Sequence, residues 1–148
     1  MKKIKNADLS FERKYIKKNT DIVIEKTEET GNDKLVFMSI KNIQSSYECF
    51  SKWTKDEMKK FWTFNESLHR KTWKDVYASA SKGADKRGLA YTIIPRNKYE
   101  HISFMNNLSK DITLFELRVD NEMRVHGFRD KSIFYLCLLD REHKITKG

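Results

Sequence analysis

The stretch ITLFELRVDNEMRVHGFRDKSIFYLCLL, residues 112–139, decides the fold. It divides into three runs, 112–119, 123–128 and 132–139, separated by the polar triplets Asp120-Asn121-Glu122 and Arg129-Asp130-Lys131. Short β-prone runs joined by turns of this kind predict an antiparallel meander. In the middle run Met123, Val125 and Gly127 alternate with Arg124, His126 and Phe128. One face of that strand is therefore expected to display a cation and an imidazole together. The last run, from Ile133 to Leu139, is apolar throughout, so it is expected to be central and covered on both faces.

Working upstream, Leu89 to Ile94 reads as a strand that Pro95 ends. Before it, the polar, glycine-bracketed loop 81–88 carries Lys82, Lys86 and Arg87. Thr54-Lys55-Asp56-Glu57 is a capping box and predicts a helix over 55–70. Its inner face is expected to hold Met58, Phe61, Trp62, Asn65 and Leu68, and its outer face Lys55, Lys59, Lys60 and Glu66. Thr72 with Asp75 repeats the N-cap signal, and Trp73, Val76, Tyr77 and Ala80 trace one face of a shorter helix ending near Lys82. Further upstream, Ile22-Val23-Ile24, a turn over 28–33 and the apolar run 35–40 predict a β-hairpin. The first 20 residues, rich in Lys and Arg, read as a basic arm or a loosely docked strand. Helices before sheet make an α+β fold: an N-terminal β-hairpin and two helices packed on a C-terminal antiparallel sheet, in one domain spanning 1–148.

The chain has 148 residues, 39% hydrophobic and 12% aromatic, so large rings must supply much of one core. Cys49 and Cys137 are far apart, each in an apolar setting, and show no metal-ligand spacing, so buried thiols are expected and no metal. No apolar h-region follows the N-terminus and no run is long enough to span a bilayer; a cytoplasmic protein with no membrane partner is the expectation. Thirty Lys+Arg against twenty-one Asp+Glu give a net charge of +9. That excess favours polyanions through counterion release and steering, without choosing among DNA, RNA, an anionic membrane and an acidic protein, and a Lys-rich surface also serves solubility alone.

Phosphate-binding glycine loops, GxSxG, HExxH and clustered carboxylates for two metals are absent from the sequence. The cations and imidazoles gather instead near the C-terminus, in Arg118, Arg124, His126, Arg129, Lys131, Arg141, His143 and Lys144. Arginine forks fit phosphate bidentately and histidine exchanges protons near neutrality. Structural readings stand beside these. Arg118 also reads as the solvent face of an edge strand and His126 as a structural hydrogen-bonder. The segment 140–143 also reads as a plain turn, and Lys82, Lys86 and Arg87 as a solvated loop.

The motifs LFELRV (114–119), MRVHGFR (123–129) and SIFYLCLLDREHKI (132–145) together resemble the C-terminal sheet of the RelE/ParE/HigB toxin superfamily. There a strand of the ELR type precedes an arginine-bearing strand and an apolar strand with a basic or histidine-containing tail. The resemblance implies a RelE-like fold and a toxin-type endoribonuclease that needs no metal or other cofactor. It implies attack of an RNA 2′-hydroxyl on the adjacent phosphate, with messenger RNA on the ribosome as target and an acidic antitoxin as partner. Arg118 falls at the ELR arginine, Arg124 at the central strand arginine, and His143 with Lys144 at the basic tail.

The candidate catalytic residues are thus Arg118, Arg124, His126 and His143; the candidate RNA contacts are Lys82, Lys86, Arg87, Arg129, Lys131 and Lys144. Some relatives poison DNA gyrase instead, and fold likeness does not separate these outcomes. A non-catalytic phage or defence protein that docks on an acidic protein, and a nucleic-acid binder without chemistry, remain the alternatives.

Overall fold

Two threonines set where the helices begin. The computed structural model describes residues 31–80 and 89–146. In it Thr54 Oγ1 accepts from the Glu57 amide at 3.1 Å, and the Glu57 carboxylate accepts from the Thr54 amide at 2.9 Å. Helix α1, Lys55–Leu68, follows this box. The same reciprocal pair between Thr72 and Asp75 opens the shorter α2, Trp73–Ala78. Each box satisfies amides that a helix start leaves without partners. Helix α2 stops four residues short of the expected end, in a turn at Ser79 and Ala80.

Among the described residues five strands form one sheet: β1 Phe37–Ser39, β2 Thr92–Ile93, β3 Phe115–Arg118, β4 Arg124–Asp130 and β5 Ile133–Asp140, in the order β1-β5-β4-β3-β2. The last three strands are the expected antiparallel meander. The sheet is nonetheless mixed, because β1 lies parallel to β5, with Phe37 opposite Ile133. Of the expected N-terminal hairpin, the run 22–24 and the basic arm 1–20 lie outside the described residues. The run 35–40 yields β1, which completes the sheet rather than standing apart from it. The expected strand over 89–94 is only two residues long.

Both faces of the sheet are covered. Against one lie Phe61, Phe64 and Leu68 of α1 and Trp73 and Val76 of α2, packed on Phe115, Leu117, Val125, Phe134, Leu136 and Leu139. Here the expected stripe of α1 shifts. Phe64 is buried, while Met58 is 41% exposed and Trp62 62% exposed. At about 100° per residue, Phe61, Phe64 and Leu68 fall within one narrow arc, and Trp62 lies a quarter-turn beyond Phe61 on the side away from it.

The other face is covered by an excursion between β2 and β3 that includes a short 3-10 turn, Arg96–Tyr99, and helix α3, Ser103–Asn106. Arg96 ties its ends together, donating to the carbonyls of Leu108 at 2.7 Å, Ile112 at 3.2 Å and Ser109. The excursion buries Tyr99, Ile102 and Met105 against Leu138 and Cys137, together with Ile145 from the C-terminal turn.

A register slip between His126 and Gly127 bends the β4–β5 ladder, with Leu138 opposite His126 and Leu136 opposite Gly127. Cys137 is the extra residue of this bulge. A Cβ on Gly127 would stand 2.0 Å from the Tyr135 carbonyl oxygen, so this close approach requires glycine. No helix among the described residues is long and apolar enough to cross a membrane.

Candidate active site at the end of the β3–β4 hairpin

Four sequence-predicted residues converge on the face covered by the 94–112 excursion. Strand pairing sets Arg118 opposite Arg124 and Glu116 opposite His126, while Arg124 also faces Asp140 across β5. Side chains two apart on a strand share a face, so two guanidiniums, an imidazole and two carboxylates gather at one end of the sheet.

His126 lies at the bottom of this cluster, fully buried. Its Nδ1 stands 2.8 Å from the Tyr99 hydroxyl. Its Nε2 lies 3.7 Å from Glu116 Oε2 and 3.6 Å from Asp140 Oδ2, just beyond hydrogen-bond distance of both. Burial, with Glu116 and Cys137 adding to it, pushes the Tyr99 phenol far up, so it keeps its proton. The protonated phenol is a partner for Nδ1 in either hydrogen-bonding sense, and Nε2 lies near both carboxylates. In this position His126 orients Glu116 and Asp140 and makes no contact with solvent.

Asp140 in turn holds the C-terminal turn. Its Oδ1 accepts from the Lys144 amide at 2.8 Å and its Oδ2 from the Ile145 amide at 2.9 Å. Burial alone pushes this carboxyl up, but His126 and the Ile145 and Lys144 amides outweigh it and leave it below the ordinary range. Glu116 is the second anchor: Thr146 Oγ1 donates to its Oε2 at 2.9 Å. Arg141 fastens the turn to α1, donating to Glu48 at 2.7 Å and Glu57 at 3.2 Å.

The turn so held presents His143. Its φ of +57° is the left-handed region, uncommon for a residue with a Cβ, and its Nε2 sits 3.7 Å from Glu116 Oε1. Burial first, then the charge of Arg124, lower its pKa against the pull of Glu116 and Asp140. Its side chain is 25% exposed and lines a recess of about 240 Å³ with Asn121, Glu122 and Glu142. Arg124 donates to the carbonyls of Asp120 at 2.8 Å and Met123 at 3.1 Å, which fixes its guanidinium at the hairpin turn. Burial lowers its pKa, and Arg118 adds to that effect against Glu116. Two arginines directly opposite on one face repel, and at Arg124 the charge of Glu116 outweighs that of Arg118.

The candidate RNA contacts are placed differently. Lys144 is exposed beside His143 and pairs with Glu142 at 3.3 Å. Arg129 sits at the far end of β4 on the helical face, its guanidinium 4.7 Å from the Trp73 ring centroid and 2.6 Å from the Tyr77 hydroxyl. Lys131 is exposed in the β4–β5 turn. Lys82, Lys86 and Arg87 lie outside the described residues.

Tyr99, Glu116, Asp140 and Thr146 were not among the expected site residues. Glu116 carried a signal, as a carboxylate inside an apolar strand, and Asp140 carried another at the end of one; Tyr99 carried none. Among the described residues, no group of three or more His, Cys, Asp or Glu side chains is arranged to hold a metal ion. Compared with known proteins, the chain matches no family model, no curated sequence and no solved structure.

Proposed function

We propose that this chain is a RelE-like basic domain that binds RNA through the end of its β3–β4 hairpin and cleaves it without a metal. The observation that carries the reading is the pairing of Arg118 with Arg124 on one face, with His143 beside Glu116 and within the field of Arg124. A phosphate lying between two facing guanidiniums accepts charge-assisted hydrogen bonds from both. The net charge of +9 supports the same class of ligand.

In the proposed reaction neutral His143 takes the proton of a ribose 2′-hydroxyl. The 2′-oxygen bonds to phosphorus as the P–O5′ bond breaks, and the departing 5′-oxygen takes a proton from water. The products are a 2′,3′-cyclic phosphate and a 5′-hydroxyl. Arg118 and Arg124 stabilise the charge that builds on the phosphoryl oxygens. His126 is a positioning residue: buried, it acts through Glu116 and Asp140.

The test is anisotropy of a labelled single-stranded RNA over a salt series, with cleavage followed on the same oligonucleotide. Arg118→Ala/Arg124→Ala should weaken binding at least about tenfold and flatten the salt slope by about two, with the fold intact by circular dichroism. Unchanged affinity in the folded double variant would sink the assignment.

One observation favours a second reading, docking on an acidic protein. Trp62 and Met58 stand exposed on α1 beside Lys55 and Lys59. Single scattered apolar residues are ordinary, but an exposed Trp with lysines on the preceding turns is a suitable anchor for an acidic surface. Loss of a stoichiometric protein complex in Trp62→Ala, with RNA binding absent throughout, would move the assignment to this reading.

A further inference from the structure

A cleft of about 590 Å³ opens at the end of the sheet opposite the arginine pair, where β4 runs on past the start of β3. Its walls include Tyr77, Tyr91 and Phe128, and its rim carries Arg129, Asp111 and Asp130. Tyr91 meets Tyr77 edge-on at 4.9 Å, while Phe128 lies nearly parallel to Tyr135 at 5.0 Å. These contacts hold the rings in place while Tyr91 and Phe128 remain half-buried and Tyr77 exposed.

The chemistry of the walls narrows the occupant. Aromatic rings suit a flat, polarisable ligand. A quaternary ammonium is disfavoured, because the Arg129 guanidinium already lies over Trp73 at 4.7 Å and Tyr77 at 5.4 Å. A phosphate is disfavoured by the two aspartates, whose carboxylate oxygens only accept. A neutral base with adjacent donors meets all three conditions. Of the four RNA bases only guanine presents two neighbouring N–H donors on its pairing edge, the pattern that one carboxylate accepts bidentately.

We propose that this cleft binds one unpaired guanine of an RNA strand, stacked against Tyr91 with its donor edge on Asp111 or Asp130, while Phe128 lines the cleft from the other face of the sheet. The proposal rests on the RNA-binding reading above and adds to it a source of sequence preference, since phosphate contacts alone carry none. Single-stranded RNA is read in this way elsewhere, by stacking on aromatic rings and hydrogen bonding along the base edge.

The test compares a uridine oligonucleotide with the same oligonucleotide carrying one central guanosine, in the full chain and in Asp111→Asn/Asp130→Asn. Both aspartates are exposed, so the substitutions leave the core untouched. The unaltered chain should prefer the guanosine strand by roughly tenfold, and the variant should bind both strands alike without losing affinity for uridine. Guanosine nucleoside, which has no phosphate, is titrated in parallel while the Tyr91 and Phe128 resonances are followed by NMR. Equal affinities with no guanosine-induced shifts would overturn the cleft. Shifts with guanosine but no RNA affinity would keep the cleft and overturn the RNA-binding reading instead.

Discussion

The Tyr99 hydroxyl sits 2.8 Å from Nδ1 of a histidine, His126, that is fully buried. The bond joins the 94–112 excursion to the central strand. Tyr99→Phe leaves buried Nδ1 without a partner and should cost about 1–3 kcal/mol in urea unfolding, with an unchanged m value.

Stability should fall on acidification in a way that Asp140 controls. Its folded carboxyl titrates below its unfolded value of about 3.9. The contribution is thus fully present above that value and drains away as pH falls through the folded one. Asp140→Asn should lower stability at neutral pH and flatten the acid limb of a stability-against-pH curve. A limb of unaltered steepness would contradict the role assigned to the Lys144 and Ile145 amide contacts.

For His143 the sign concerns activity. Its pKa lies below the ordinary imidazole value of about 6.5, so it is neutral and basic at physiological pH. RNA cleavage should rise with pH on the acid side of that value and then level off. Arg124→Ala removes one of the causes that lower His143, so the residual activity should level off at a higher pH. A pH-rate profile for each protein decides it.

The two tryptophans of the helical layer should behave oppositely. Trp73 is fully buried and its Nε1 donates to the Ser132 carbonyl at 3.0 Å, so Trp73→Ala should cost about 3–5 kcal/mol. Trp62 is 62% exposed, so Trp62→Ala should change stability by no more than about 0.5 kcal/mol. Chemical denaturation of both variants checks the outward rotation of α1.

Gly127→Ala should be severe. The added carbon meets backbone on one side and Phe134 at 2.9 Å on the other, so neither strand gives way cheaply. A loss of about 3 kcal/mol or more, or failure to fold, is expected.

The meander, both helix starts and the sharing of one face by Arg124 and His126 were legible because each follows from local rules: alternation, turn triplets and capping boxes. His143 reaches the same place for a non-local reason: its turn is tied to remote parts of the chain by Arg141, which bonds Glu48 and Glu57, and by Thr146, which bonds Glu116. The excursion over 94–112 went unread because its order comes from Arg96 bonding to distant carbonyls rather than from any periodic pattern. Met58 and Trp62 were misassigned to the inner face because an aromatic stripe at helical spacing fits two adjacent arcs, and only packing against the sheet selects between them. The parallel seat of β1 was equally invisible, since a short apolar run does not announce its neighbour.

That seat has a kinetic consequence. The strand at position 37 pairs with one that begins at position 133, so the sheet acquires its last edge only when two remote parts of the chain meet. Until then the outer edge of β5, the most apolar strand, is open to other chains. Folding should accordingly show a slow closing step in which the helices and the meander are already formed, and aggregation during refolding should be greatest in that interval.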